Sequence, residues 1–317
     1  MSADRELFER IVDTLNGIYG AHSDRRALHA KGTLCAATFT GSSEAAGLTR
    51  AAHMQGEPVR AHVRFSNASG NPEARDGTSE GRGMAVKFYL PDGSTTDIVA
   101  VTVPVFVVRT PEDFLAMTIA RKPDPETGKI DMEKIGAFLE AHPESLPAVE
   151  IAMSAQPPAS YLQLAFHAVH AFRFVDSNNN GQWVRYRWQP EAGEASITRE
   201  EAKQRDNDYL QKDLRDRFEE GPAAFRLWAQ LALEEDPVDD PTVAWPDDRK
   251  SIELGRLEIT ELAFDREQDG DVLVFDPTRV TDGIECSQDK ILQARAHAYA
   301  ESVYRRSGVR HVPGPIA

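Results

Sequence analysis

The segment Val59-Arg-Ala-His-Val-Arg-Phe65 alternates apolar and polar residues without a break, and this pattern constrains the fold more than any other stretch of the chain. Successive side chains of a β-strand point to opposite faces. Val59, Ala61, Val63 and Phe65 therefore share one face, and Arg60, His62, Arg64 and Ser66 share the other. One face is built for a core, while the opposite one carries guanidinium, imidazole and hydroxyl groups.

Other segments extend this pattern. Strands are expected around Leu28–Phe39, at Met84–Leu90 and from Asp97 to Arg109, the last apolar on both faces and so buried on both. More follow at Ala165–Val175 and Trp183–Trp188, joined by the Asn-rich turn Asp176–Gly181, and at Gly255–Phe264 and Asp271–Phe275. Helices are expected over residues 4–20, with Leu7, Ile11, Leu15 and Ile18 at helical spacing, across much of 111–164, over Thr198–Leu233 and from Ser287 to Arg306. Thr198 and Glu201 form the pattern of a capping box. No repeat or low-complexity linker divides the chain. The expectation is an α+β protein: one domain over 1–317, an antiparallel β-barrel of about eight strands with helical insertions and a closing C-terminal helix.

Composition narrows the function. Net charge is −15, a balance that repels phosphate backbones and argues against nucleic-acid binding. No apolar run approaches membrane-span length, and MSADRELFERIV lacks a secretory pattern, so a cytoplasmic protein is expected. Cys35 and Cys286 show no metal-ligand spacing and read as small buried hydrophobes.

Three segments carry the chemistry: Arg26-Ala-Leu-His-Ala-Lys-Gly32; Val63-Arg-Phe-Ser66 through Arg82-Gly-Met-Ala-Val-Lys-Phe-Tyr89 to Val103-Pro-Val-Phe-Val-Val-Arg109; and Asp289-Lys-Ile-Leu-Gln-Ala-Arg-Ala-His-Ala-Tyr299. On the closing helix, Arg295 and Tyr299 are four residues apart and share a face, with Arg306 seven beyond. An adjacent guanidinium favours a phenolate, and a phenolate can ligate haem iron. Taken alone, the pair also reads as a half-buried aromatic beside its cation, and a lone histidine such as His29 is usually structural.

Together and in order, from about residue 25 to 306, these segments resemble the haem catalase family, and within it the small catalase-related peroxidases. Weaker matches are His170-Ala-Phe172, Val243-Ala-Trp-Pro246 and Phe275-Asp-Pro277. The resemblance implies haem b (iron protoporphyrin IX) ligated by Tyr299 under the influence of Arg295. It implies Arg26, Arg64 and Arg306 at the propionates, as suits planar bidentate donors, and Phe114 stacked on the porphyrin. It implies His29 as acid–base catalyst, a role suited to neutral imidazole, with Ser66 orienting it. Where the family has N-N-T-P, this chain has Val101-Thr-Val-Pro104, so Thr102 is expected to replace the distal amide. Leu28, Ala68, Met84 and Val303 are further departures. Only 28 residues precede His29, and full catalases are longer.

The function implied is a peroxidase acting on hydrogen peroxide and organic hydroperoxides, with weak catalase activity and an external electron donor. It needs neither nucleic acid nor membrane, and a homodimer is allowed. The alternatives are a fatty-acid hydroperoxide isomerase or dehydratase and a non-enzymatic haem-binding protein.

Overall fold

The computed structural model describes residues 3–22, 24–264 and 272–308. Helix α1 (Ala3–Tyr19) leads into strands β1 (Gly32–Gly41), β2 (Val59–Asn67), β3 (Arg82–Tyr89) and β4 (Thr95–Val101), with the short α2 (Ser43–Leu48) after β1. Helices α3 (Pro111–Ala120), α4 (Met132–Ala141) and α5 (Leu146–Ser154) follow, then β5 (Phe166–His167), β6 (Phe172–Val175) and β7 (Gly181–Pro190). Helices α6 (Arg199–Gln204) and α7 (Tyr209–Glu220) precede β8 (Ala223–Leu231), β9 (Ser251–Leu262), β10 (Ile284–Cys286) and α8 (Lys290–Ser307).

The sheet runs β10-β6-β7-β5-β4-β3-β2-β1-β9-β8, and β7 also pairs with β8. That last pairing closes eight antiparallel strands into a barrel, which removes the exposed edges an open sheet would leave. Strands β6 and β10 extend outward from β7. Val63 and Phe65 of β2 point inward with Phe39, Phe88, Phe166, Trp188 and Phe225. Phe39 meets Phe88 and Trp188 edge-on, at 5.2 and 6.1 Å between ring centroids.

The alternation read from Val59–Phe65 holds, and the alternate residues Arg64 and Ser66 face a second region outside the barrel. There α1 and α3 pack together and against α8. The apolar side of α1 buries Phe8, Ile11, Val12 and Leu15. The capping box at Thr198 forms as expected.

Three expectations are corrected. The helix expected over Thr198–Leu233 stops at Glu220, where Gly221 takes φ +140 and Pro222 follows. Beyond it, Phe225, Leu227 and Ala229 alternate into the core as the strand that closes the barrel. Strand β4 ends at Val101 rather than continuing to Arg109. Val272–Phe275 forms no strand, and Asp271 lies outside the described residues.

Candidate active site

The slot between the outer face of the barrel and helices α1, α3 and α8 is lined mainly by apolar side chains, with His29, Arg64, Ser66, Arg295, Tyr299 and Arg306 among its polar residues. Its construction begins with two glycines. A Cβ at Gly83 would lie 2.9 Å from the His29 ring, and one at Gly32 would lie 2.6 Å from Cζ of Arg64. Both approaches are too close for any larger residue, so these glycines make room for the imidazole and the guanidinium.

His29 sits in the loop before β1 in the left-handed region, at φ +56. This is an uncommon conformation for a non-glycine residue and one that costs backbone strain. Three contacts hold it: its N–H donates to the Ala68 carbonyl at 3.2 Å, its carbonyl accepts from Arg64 at 3.0 Å, and Nδ1 meets the Ser66 hydroxyl at 2.9 Å. With Nδ1 engaged, Nε2 is the nitrogen left for the slot. Burial, reinforced by Arg64, Arg295, Arg26 and Arg82, pushes the His29 pKa down to about 3. The ring is thus neutral at ordinary pH and able to accept a proton.

Across the slot, Arg295 directs Nε and Nη2 to the Tyr299 hydroxyl oxygen, Nε at 2.9 Å. Two guanidinium donors converging on one phenol oxygen stabilise negative charge there. Arg295 is itself positioned: its Nη1 lies 3.1 Å from Nε2 of His170, whose Nδ1 lies 2.5 Å from Asp289. Burial lowers the His170 pKa, so the neutral ring can donate Nδ1–H to the carboxylate and accept from Arg295 at Nε2. The other oxygen of Asp289 caps α8 through the N–H groups of Ile291 and Leu292. One aspartate therefore starts the helix and fixes its arginine. His170 and Asp289 stood within the matched segments, but spacing along the chain gives no sign of a chain linking them to Tyr299.

Arg26 donates to the Leu273 carbonyl at 2.8 Å, and Arg306 lies 3.4 Å from the Ser302 hydroxyl. Phe114 lines the slot and stacks on Phe106 at 6.0 Å. The remaining charged residues of the motifs serve the scaffold: Lys31 pairs with Asp76 and Asp208, Arg82 donates to loop carbonyls, and Lys87 pairs with Asp97.

Thr102 is corrected. Its hydroxyl accepts the backbone N–H of Arg82 at 3.0 Å, and Val101 is the residue that reaches the slot. Strand parity decides this: Val99 and Val101 share the face toward the slot, and Thr102 falls on the next parity. At this position the slot meets the aliphatic side chain of Val101. Leu28, Met84 and Val303 line the slot, whereas Ala68 contributes only backbone near it.

The donor set fits a haem. Arg26, Arg64, Arg295 and Arg306 all line the slot, and no aspartate or glutamate does among the described residues. Four guanidinium groups without a carboxylate, inside a protein of net charge −15, call for an anionic ligand. The apolar walls suit a large flat ring, and the phenol oxygen, gripped by two guanidinium donors, lines the slot as an oxygen ligand atom.

The profile of the family described as Catalase matches residues 15–316. The chain is 41% identical over 302 residues to a catalase-related peroxidase of Mycolicibacterium paratuberculosis, covering 95% of each chain. It is 32% identical to a catalase-related peroxidase of Synechococcus elongatus, over 94% of this chain and 88% of that one. A fungal catalase structure superposes with a TM-score of 0.81 at 26% identity, covering 90% of this chain and 59% of the larger one.

Proposed function

Since the chain belongs to the catalase family, we propose that it is a haem-dependent peroxidase that reduces hydrogen peroxide and organic hydroperoxides and has only weak catalase activity. The observation that carries this reading is the pairing, across one apolar slot, of a neutral histidine with a phenol oxygen held by two arginine donors. The residues present would hold haem b: the Tyr299 oxygen would bind its iron, Arg26, Arg64 and Arg306 would meet its propionates, and Phe114 would pack on its ring. When bound, it supplies the redox chemistry that side chains cannot.

The protein's own residues move and hold protons. His29 Nε2 takes the proton from one peroxide oxygen and returns it to the other, which departs as an alcohol (or as water from hydrogen peroxide) when the O–O bond breaks; the remaining oxygen leaves as water once two electrons and two protons have arrived, so that ROOH becomes ROH and H2O. Ser66 holds Nδ1 and so aims Nε2. Arg295, fixed by His170 and Asp289, donates to the Tyr299 oxygen and holds it in place. Burial excludes competing water. The two electrons come from an external donor. The whole chain works as one domain, in the cytoplasm.

Val101 explains the bias against catalase turnover. Catalase activity requires a second hydrogen peroxide to be held and oxidised, and an aliphatic side chain at this point offers it no donor. A reactant misplaced by about 1 Å can lose on the order of 10²-fold in rate. The test compares dye oxidation driven by cumene hydroperoxide with oxygen evolution from hydrogen peroxide alone. Clear dye turnover with little oxygen is expected. Oxygen evolution matching a full-length catalase per haem would overturn this reading.

A further inference from the structure

Strand register places a line of residues across the face of the barrel that bears the slot. Ser66 of β2 pairs with Gly83 of β3, Gly83 with Val101 of β4, Val101 with His167 of β5, and His167 with Arg187 of β7. Residues directly opposite in antiparallel strands point to the same face, with Cβ atoms about 5 Å apart. The row therefore begins at the seat of His29, over Gly83, and runs outward through an aliphatic and an imidazole to a guanidinium. Val101 and His167 both line the slot, and Arg187 is exposed.

His167 has no role in the reading above, and among the described residues no group hydrogen-bonds to either of its ring nitrogens. Burial, reinforced by Arg187, lowers its pKa to about 4. It is therefore a neutral ring that can donate one N–H. Among the described residues no carboxylate lies within 4 Å of the Arg187 guanidinium, and the nearby Glu194 is held instead by Gln189 at 3.1 Å. Three strand steps of about 4.8 Å separate Gly83 from Arg187, roughly 14 Å along the sheet. An elongated molecule of medium chain length spans that distance.

We propose that His167 and Arg187 form a carboxylate-binding station, so that the organic hydroperoxides this protein prefers carry an acid group at the end remote from the peroxide. The proposal rests on the peroxidase reading: the peroxide end reaches His29, the chain lies along Val101, and the carboxylate accepts from His167 Nε2–H or Nδ1–H and from Arg187. A planar guanidinium suits a carboxylate, and a charge-assisted contact at a partly exposed site supports a preference of about tenfold.

The experiment titrates the haem-loaded protein with ω-hydroxydecanoic acid, an unreactive alcohol counterpart of such a substrate, and with its methyl ester, and follows the Soret band. The acid should bind about tenfold more tightly than the ester. Arg187→Gln should bring the two affinities together, and Arg187→Glu should invert the preference; both changes are at an exposed position. His167→Phe should weaken binding of the acid more than that of the ester. Equal affinities in the wild type, binding of neither, or a preference that survives Arg187→Gln would overturn the station. A protein that shows this result yet still oxidises dye with cumene hydroperoxide loses only the station, while one without a Soret band loses both readings.

Discussion

At the scale of single residues, His29 carries the most consequence. His29→Ala should retain haem yet slow the reaction with peracetic acid by about 10²–10⁴-fold, the usual contribution of a general acid–base group. Stopped-flow absorbance measures it, and an unchanged rate would place the proton shuttle elsewhere. The pKa near 3 sets a second expectation. A base works when unprotonated, so this step should be flat with pH through neutrality and fall only as pH approaches 3. Burial, and after it Arg64, Arg295, Arg26 and Arg82, holds the ring neutral over that range. Positions 101 and 102 supply a paired test. Thr102→Val should leave the peroxide reaction within about twofold, at a stability cost of about 1 kcal/mol for the lost bond to Arg82. Val101→Asn should raise oxygen evolution from hydrogen peroxide. His29, Ser66, Arg295 and Tyr299 were legible because they lie in compact motifs at fixed offsets. The lining role of Val101 was not, because an alignment of letters does not state which of two neighbours faces the slot. That is a matter of strand parity.

At the scale of elements, α8 joins folding to chemistry. Its first turn is capped by Asp289, and its middle presents Arg295 and Tyr299. Asp289→Ala should cost about 1–2 kcal/mol through the lost cap, leave His170 without its acceptor, and weaken haem retention. Thermal melts and haem-transfer rates measure the two effects separately; wild-type haem retention would show that His170 needs no such partner. The i, i+4 spacing of Arg295 and Tyr299 was readable in advance, because a helix converts it directly into contact. The link from Arg295 through His170 to Asp289 was not, since it joins residues 125 and 119 positions apart. Strand β8 was read as helix for a related reason. The segment before it is helical in pattern, and its own Phe225–Leu227–Ala229 alternation gains meaning only once β7 and β9 lie on either side.

At the scale of the whole molecule, the fold holds three histidines neutral, His53 in the barrel core and His29 and His167 in the slot. Burial lowers His29 and His53 to about 3 and His167 to about 4, while in the unfolded chain a histidine titrates near 6.5. The unfolded state therefore binds more protons between these values, and stability should be full above about pH 6.5 and fall progressively toward pH 3. Melting temperatures across that range test this, and a flat profile would contradict it. The family relation also works at this scale. The barrel strands and α8 all fall within residues 15–316, the portion that the family profile matches. The central claim, that this slot holds haem through Tyr299, meets its most direct test in the absorption spectrum of the purified protein after haem supplementation, taken beside that of Tyr299→Phe. The account predicts a Soret band with high-spin ferric charge-transfer bands in the wild type, and their loss or marked change in the variant. No Soret band in the wild type, or an identical spectrum in Tyr299→Phe, would contradict it.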